Sequence, residues 1–259
     1  MLPFAPDKVI LITGAALGLG RATAKLLAPV DARLVLVDRD GEGVRRAVAE
    51  LGIGDRAIGL AVNVLDWNEV QDMIATTVRH FGRLDGLVNT VGGSSGHGVR
   101  GARTIEELDL ADWDRTFDLN VKSVFYCCRA AIPAIRAAGG VRIVNTSSIA
   151  GRSQSQLGGP QYAAAKAAVV GFTRQLAFQL AKENITVNAV APGPTFSERV
   201  SAIWDKRPDE ERQEILSRIP IGRLGEVDEL AGAVVYFLSD LAGYVTGHTL
   251  DVNGGLYMD

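Results

Sequence analysis

The chain has 259 residues, 47% of them hydrophobic and 22% charged, with a formal net charge of −3. That is enough apolar material for one large core, while charges of both signs scattered along the chain exclude the concentrated basic face of a nucleic-acid binder. Adjacent Cys127 and Cys128 cannot make a framework of separated disulfides, and His80, His97 and His248 lie too far apart to suggest a metal site. With no secretory-type leader and no apolar run of membrane-spanning length, the expectation is a cytoplasmic protein, with no membrane or nucleic-acid partner and no metal.

Short apolar, β-branched runs alternate with longer amphipathic segments from end to end. Lys8–Thr13, Arg33–Val37, Ala57–Val62, Leu84–Asn89, Val141–Thr146, Ile185–Val190 and Thr249–Val252 read as strands. Between them, 19–28, 42–51, 67–81, 111–138, 161–181 and 227–239 read as helices. Continuously apolar strands joined by helices predict an α/β fold: a single-domain, doubly wound parallel sheet of Rossmann type, with helices on both faces, over residues 1–259. Two segments break the rhythm, the Gly/Ser-rich 92–101 and the polar 194–225, which carries two short helical pieces. Ligands of open α/β sheets sit beyond the carboxyl ends of the strands, so either segment could border a site. The stretch 194–225 is expected to act as a lid over the substrate.

The first strand runs into Thr13-Gly14-Ala15-Ala16-Leu17-Gly18-Leu19-Gly20 and then a helix. Glycines there permit a tight turn and let a helix N-terminus approach a pyrophosphate. The spacing is TGxxxGxG rather than GxGxxG, and by itself it could equally be a packing turn. Asp38 ends the second strand, about 20 residues beyond the glycines, where a carboxylate can accept both adenosine ribose hydroxyls and repel a 2′-phosphate. Leu17 puts no cation in the loop, which favours NAD. Arg39, beside Asp38, could meet a phosphate or stack on adenine and keeps NADP open.

Thr13–Gly20, Asn89, Asn120, Ser148, Tyr162 and Lys166 together resemble the short-chain dehydrogenase/reductase family, and the likeness continues through Pro192-Gly193 to the closing Val252-Asn253-Gly254-Gly255. The resemblance implies a nicotinamide-dependent oxidoreductase that interconverts an alcohol and a ketone. Tyr162-Ala163-Ala164-Ala165-Lys166 is the family's YxxxK, a spacing that puts phenol and ammonium on one helix face. A tyrosine titrating near ~10 is a poor acid or base at neutral pH, and a fixed cation nearby favours its phenolate. Ser148 stands where the family's catalytic serine does, stabilising charge on the substrate oxygen. Ser147 is its neighbour, but adjacent strand side chains face opposite ways, so one of the two should serve. Asn120 resembles the fourth catalytic residue, which holds a water in the proton relay; a purely structural polar residue is the alternative.

For the cofactor, the resemblance implies contacts from Gly14, Leu17, Gly18, Leu19, Gly20, Asp38, Arg39, Asn63, Val64, Asn89, Tyr162, Lys166, Pro192, Gly193, Thr195 and Ser197. Two departures stand out. Asn89-Thr90-Val91-Gly92 replaces the usual Asn-Asn-Ala-Gly, and Asn63-Val64 replaces Asp-Val against the adenine. The family also implies a homotetramer, assembled by pairing the long helices 111–138 and 161–181.

The substrate is less legible. Arg100 and Arg103, in a long loop, could receive an anionic substrate or belong to a solvated surface. The closing segment 245–255 resembles 3-oxoacyl-carrier-protein reductases, which use NADPH, against which Asp38 argues. Asn89–Gly93 and Cys127-Cys128 resemble dehydrogenases of cyclic diols. A cofactor-sensing binding protein on the same fold is the alternative of another class, since fold does not fix function.

Overall fold

Alternation along the first strand already divides the molecule into two faces. The computed structural model describes residues 4, 6–93, 104–154 and 158–259. In β1 (Lys8–Thr13), Val9 and Leu11 face one core while Ile10 and Ile12 face the other, as the two-residue period of a strand requires. β2 (Ala32–Asp38), β3 (Ala57–Ala61), β4 (Gly86–Asn89), β5 (Arg142–Thr146), β6 (Thr186–Pro192) and a late strand, Thr249–Val252, join it in one sheet. All its pairings are parallel, in the order β3-β2-β1-β4-β5-β6 with the late strand at the far edge. This is the doubly wound α/β architecture expected from the pattern of strands and helices.

Helices α1 (Gly18–Leu27), α2 (Gly41–Leu51) and α9 (Val227–Leu238) cover one face, burying Leu27, Val44 and Val234 among others. Helices α3 (Trp67–Phe81), α5 (Ser123–Ala137) and α6 (Pro160–Leu180) cover the other, through Met73, Ile135 and Leu176. Cys127 and Cys128 belong to this second core, and burial pushes the Cys128 thiol up to about 12. Local signals fix several ends. Asp66 caps α3 by accepting from the Asn68 and Glu69 N–H groups, and Gly82 closes it in the left-handed region.

The expected helix over 111–138 is interrupted. α4 (Leu110–Phe117) runs into a π turn over Asp118–Lys122 before α5 begins, with the Ser123 N–H donating to the Asp118 carbonyl. A wider turn of this kind re-aims side chains, and here it carries Asn120. β4 starts two residues later than expected, directly after Asp85. Its buried carboxylate accepts from the Val9 N–H at 3.0 Å, from Lys8 at 3.0 Å and from Arg83 at 2.6 and 2.8 Å. Burial alone would push the Asp85 carboxyl up, but the hydrogen bonds from Arg83, Val9 and Lys8 outweigh it and hold it below the ordinary carboxylate range.

The polar excursion after β6 is pinned at its neck. β7 (Thr195–Phe196) pairs with β8 (Gly225–Glu226), and the Gly225 N–H donates to the Pro194 carbonyl at 3.1 Å. Between them lie α7 (Glu198–Trp204) and α8 (Asp209–Ser217). The late strand, β9 (Thr249–Val252), then closes the sheet against β6. Among the described residues no helix is long and apolar enough to cross a membrane.

Candidate active site

The order of the strands reverses between β1 and β4, which are parallel neighbours although β2 and β3 intervene in sequence. Such a switch point opens a crevice beyond the strand carboxyl ends. A cleft of about 800 Å³ lies there.

Its floor is the β1–α1 turn. Gly14 has φ +68°, a left-handed conformation that a side chain would strain. A Cβ on Gly20 would fall 2.4 Å from the Gly14 carbonyl oxygen and 2.9 Å from Thr90 Oγ1, so α1 packs on the turn closely enough to exclude any side chain there. Thr90 Oγ1 in turn donates to the Thr13 carbonyl at 2.6 Å and ties β4 to this turn. At the start of α1, Leu17 makes no side-chain cap for the first N–H groups of the helix, and Leu17, Gly18 and Leu19 line the cleft. This cradle of glycines and free helix amides fits the pyrophosphate of a dinucleotide.

Gly14, Leu17, Gly18, Leu19, Asp38, Arg39, Asn63 and Val64 all line this half of the cleft. The Asp38 carboxylate accepts from the Ala16 N–H at 3.3 Å and the Asp40 N–H at 3.1 Å, which fixes it at the end of β2 beside the glycine turn. Asn63 Oδ1 accepts from the Leu65 N–H at 3.1 Å, so its NH2 group is the part it can offer a ligand. Gly20 and Asn89 do not line the cleft. Asn89 is buried behind it and donates to Asn145 Oδ1 at 2.9 Å, and Asn145 donates to Thr173 Oγ1 at 2.9 Å. It braces β4 against β5.

The other half gathers Ser148, Tyr162 and Lys166. Ser147 and Ser148 both line the cleft and differ in what their hydroxyls bond. Ser147 is buried and donates to the Lys166 carbonyl at 2.9 Å, whereas Ser148 caps the short turn Ile149–Gly151 and lies half-buried at the cleft. Lys166 is buried, donates from Nζ to the Thr146 carbonyl at 2.9 Å, and sits 5.7 Å from the centroid of the Tyr162 ring. A desolvated ammonium at that range acts on the phenol through little screening solvent. Gly151 packs against this arrangement so tightly that a Cβ would meet the Lys166 carbonyl carbon at 2.4 Å.

Asn120 lies behind the cleft wall rather than on it. Its Oδ1 accepts from the Gly93 N–H at 2.9 Å, and its Nδ2 donates to the carbonyls of Gly93 at 2.8 Å and Thr116 at 2.9 Å. Gly92 separates it from the ammonium: a Cβ there would lie 2.7 Å from Asn120 Oδ1 and 2.9 Å from Lys166 Nζ. Pro192, Gly193, Thr195 and Ser197 line the cleft where β6 runs into the excursion 194–225. His97, Arg100 and Arg103 lie outside the described residues.

The residue list read from the sequence lacks several groups that the fold brings in. Ile149, Trp204, Ile215, Leu224, Leu256 and Tyr257 bring apolar and aromatic surface to the cleft, beside the polar Gln154, Glu198, Arg207 and Arg218. The last two follow the closing Asn253-Gly254-Gly255, whose glycines are the only local signal that the chain turns back there. Tyr257 is the second tyrosine at the cleft. Its hydroxyl donates to Asp259 at 2.6 Å, and that hydrogen bond pushes its phenol up, away from proton transfer at neutral pH.

A family model described as enoyl-(acyl carrier protein) reductase matches residues 14–257. The chain is 38% identical over 253 residues to the (2S)-[(R)-hydroxy(phenyl)methyl]succinyl-CoA dehydrogenase subunit BbsD of Thauera aromatica, covering 96% of each protein. It is 36% identical to the 3-oxoacyl-[acyl-carrier-protein] reductase FabG of Thermotoga maritima, over 96% of this chain and 97% of that one. The FabG of Staphylococcus aureus strain Mu50 is also 36% identical, over 97% and 98%.

Proposed function

The chain belongs to the short-chain dehydrogenase/reductase family of oxidoreductases, and on that premise we propose that it interconverts a secondary alcohol and a ketone with NAD(H), Tyr162 moving the proton. The observation that carries this reading is one cleft with Ser148, Tyr162 and Lys166 at one end and Asp38 beside the glycine turn at the other.

The nicotinamide ring, when bound, supplies the position that accepts or returns the hydride. The amides at the start of α1 hold the pyrophosphate, Asp38 the adenosine ribose, and Asn63 and Val64 the adenine. Tyr162 and Lys166 reach the second ribose, and Pro192, Gly193, Thr195 and Ser197 the nicotinamide end. In the oxidising direction, Tyr162 takes the alcohol proton as a general base. Lys166 stabilises the phenolate electrostatically, and Ser148 donates to the substrate oxygen where charge develops. With its amide committed to Gly93 and Thr116, Asn120 serves as a positioning residue that holds the π turn and Gly92–Gly93 beside Lys166. The segment 194–225, pinned by β7 and β8, closes over the substrate as a lid.

Separate titrations of NADH and NADPH, followed by the fluorescence of the bound nicotinamide, test the cofactor half. Tighter NADH supports Asp38 as the ribose reader. Tighter NADPH makes Arg39 the reader and moves the second reading forward, a 3-oxoacyl-carrier-protein reductase, the activity named for the FabG relatives. Tyr162→Phe tests the chemistry: an enzyme keeps cofactor binding and loses turnover, whereas a cofactor sensor keeps both its binding and its action. Exposed Phe125 on α5 and Phe178 on α6 suit burial between copies in a homotetramer. Light scattering during size-exclusion chromatography tests that assembly, and a monomer would refute it.

A further inference from the structure

The substrate end of the cleft is closed by Leu256 and Tyr257, and one guanidinium links them to the serine-bearing turn. Arg152 directly follows the turn Ile149–Gly151 that Ser148 caps. Its Nη2 donates to Asp251 on β9 at 3.2 Å and also to the Asp259 carboxylate. The guanidinium carbon lies 5.6 Å from the centroid of the Tyr257 ring. The Arg152 and Asp251 side chains are both only 18% exposed, so that contact is screened less than a surface ion pair, whereas Asp259 is exposed. Tyr257 is held from two further sides: its hydroxyl donates to Asp259 at 2.6 Å, and its carbonyl accepts from Asn253 Nδ2 at 2.9 Å. The same tail meets the lid, since the Ile221 N–H donates to the Gly254 carbonyl at 3.2 Å.

We propose that Arg152 is a positioning residue that clamps the tail to the Ser148 turn, and that the Tyr257 ring is the specificity-determining wall for substrates with a flat apolar substituent beside the reacting carbon. Apart from Tyr162, Trp204 and Tyr257 are the aromatic rings at the cleft among the described residues; Ile149, Ile215, Leu224 and Leu256 add apolar lining, and Glu198, Arg207 and Arg218 add charged lining. The apolar part of that lining suits an aryl or cycloalkyl group, and an offset ring gains from the Tyr257 face. A guanidinium over the ring engages Arg152 with the ring itself as well as with the carboxylates.

The inference rests on the oxidoreductase reading, and the test separates the two. Acetophenone and 2-butanone are reduced with NADH by the full chain and by variants. Tyr257→Ala raises KM for acetophenone roughly tenfold, with kcat within about twofold, and leaves KM for 2-butanone unchanged. Tyr257→Phe, which keeps the ring, behaves as wild type. Arg152→Gln reproduces Tyr257→Ala, Arg152→Lys restores part of the loss, and the double variant is no worse than Tyr257→Ala alone, because both changes remove one wall. Equal effects on both ketones overturn the proposal, as does a fall in kcat without a KM change in Arg152→Gln. Turnover retained in Tyr162→Phe overturns the reading beneath it and this inference with it. If wild type reduces neither ketone, amide hydrogen exchange decides. Exchange about tenfold faster over 254–259 in Arg152→Gln, with Arg152→Lys near wild type, supports the clamp; unchanged exchange overturns it.

Discussion

Gly20→Ala tests whether the glycine turn is built for a ligand or only for packing. The added Cβ would meet the Gly14 carbonyl oxygen at 2.4 Å, the Gly14 carbonyl carbon at 2.8 Å and Thr90 Oγ1 at 2.9 Å. The first contact is about 1 Å short of ordinary van der Waals separation. Two of the three atoms are backbone, and Thr90 is held by its own bond to Thr13, so relief requires α1 to move off the turn. Overpacking at this level costs about 3 kcal/mol. For a chain of this size that lowers Tm by about 6–12 °C. Because the N-terminus of α1 carries the amides proposed to bind pyrophosphate, NADH affinity falls at least about tenfold, equivalent to about 1.4 kcal/mol. Gly82→Ala is the control. Its φ of +78° costs an alanine about 1–2 kcal/mol, but no atom lies within 4 Å of the new Cβ and the site is remote. Thermal denaturation gives the stability change, and NADH fluorescence titration gives the affinity. Gly20→Ala binding NADH with wild-type affinity would refute the reasoning, as would an equal loss of affinity in Gly82→Ala.

The two serines at the end of β5 separate by kinetics. Ser148→Ala lowers kcat by about 100- to 1,000-fold, as expected for an oxyanion donor. Ser147→Ala instead loses the bond to the Lys166 carbonyl, about 1 kcal/mol of stability, with the larger kcat intact. Steady-state rates and melting curves on both variants check this, and the reverse ranking would count against Ser148. Asp85→Asn leaves Lys8 and Arg83 facing an uncharged group. It costs about 3 kcal/mol, the low end for a broken buried pair, because Arg83 is 42% exposed and regains water. Since the folded Asp85 carboxyl titrates below its unfolded value, its contribution is present above about pH 4 and is lost as pH falls through the lowered folded value. The gap in Tm between wild type and Asp85→Asn is therefore constant at neutral pH and narrows below about pH 4, which melting curves across that range would measure.

Much of the molecule is legible in local sequence because its causes are local. Unbroken apolar runs of four residues, Val9–Ile12 and Leu34–Val37, cannot be half-exposed, so β1 and β2 announce a sheet covered on both faces, and the alternation with amphipathic helices makes it parallel. Tyr162 and Lys166 share a face because four residues make about one helical turn, wherever that helix is placed. Trp67–Phe81 has both ends as expected, since Asp66 and Gly82 supply the cap and the stop from adjacent positions. Asp38 falls at the cleft because strand and turn lengths carry it there.

Tertiary structure decided what depends on residues distant in the chain. The Ser147 hydroxyl was committed by a carbonyl on α6, and Asn120, on the π turn, was held behind the wall by the backbone of Gly93. Asn89, a cofactor residue by motif, was turned into the core by Asn145 on the neighbouring strand. Arg152 and Tyr257 give no local sign of a shared wall, because more than a hundred residues separate them. Only the closing of β9 against β6 brings the tail back to the serine turn. Periodicity and capping act within a few residues of one another, whereas the shape of a cleft is fixed by contacts that exist only after the sheet has assembled.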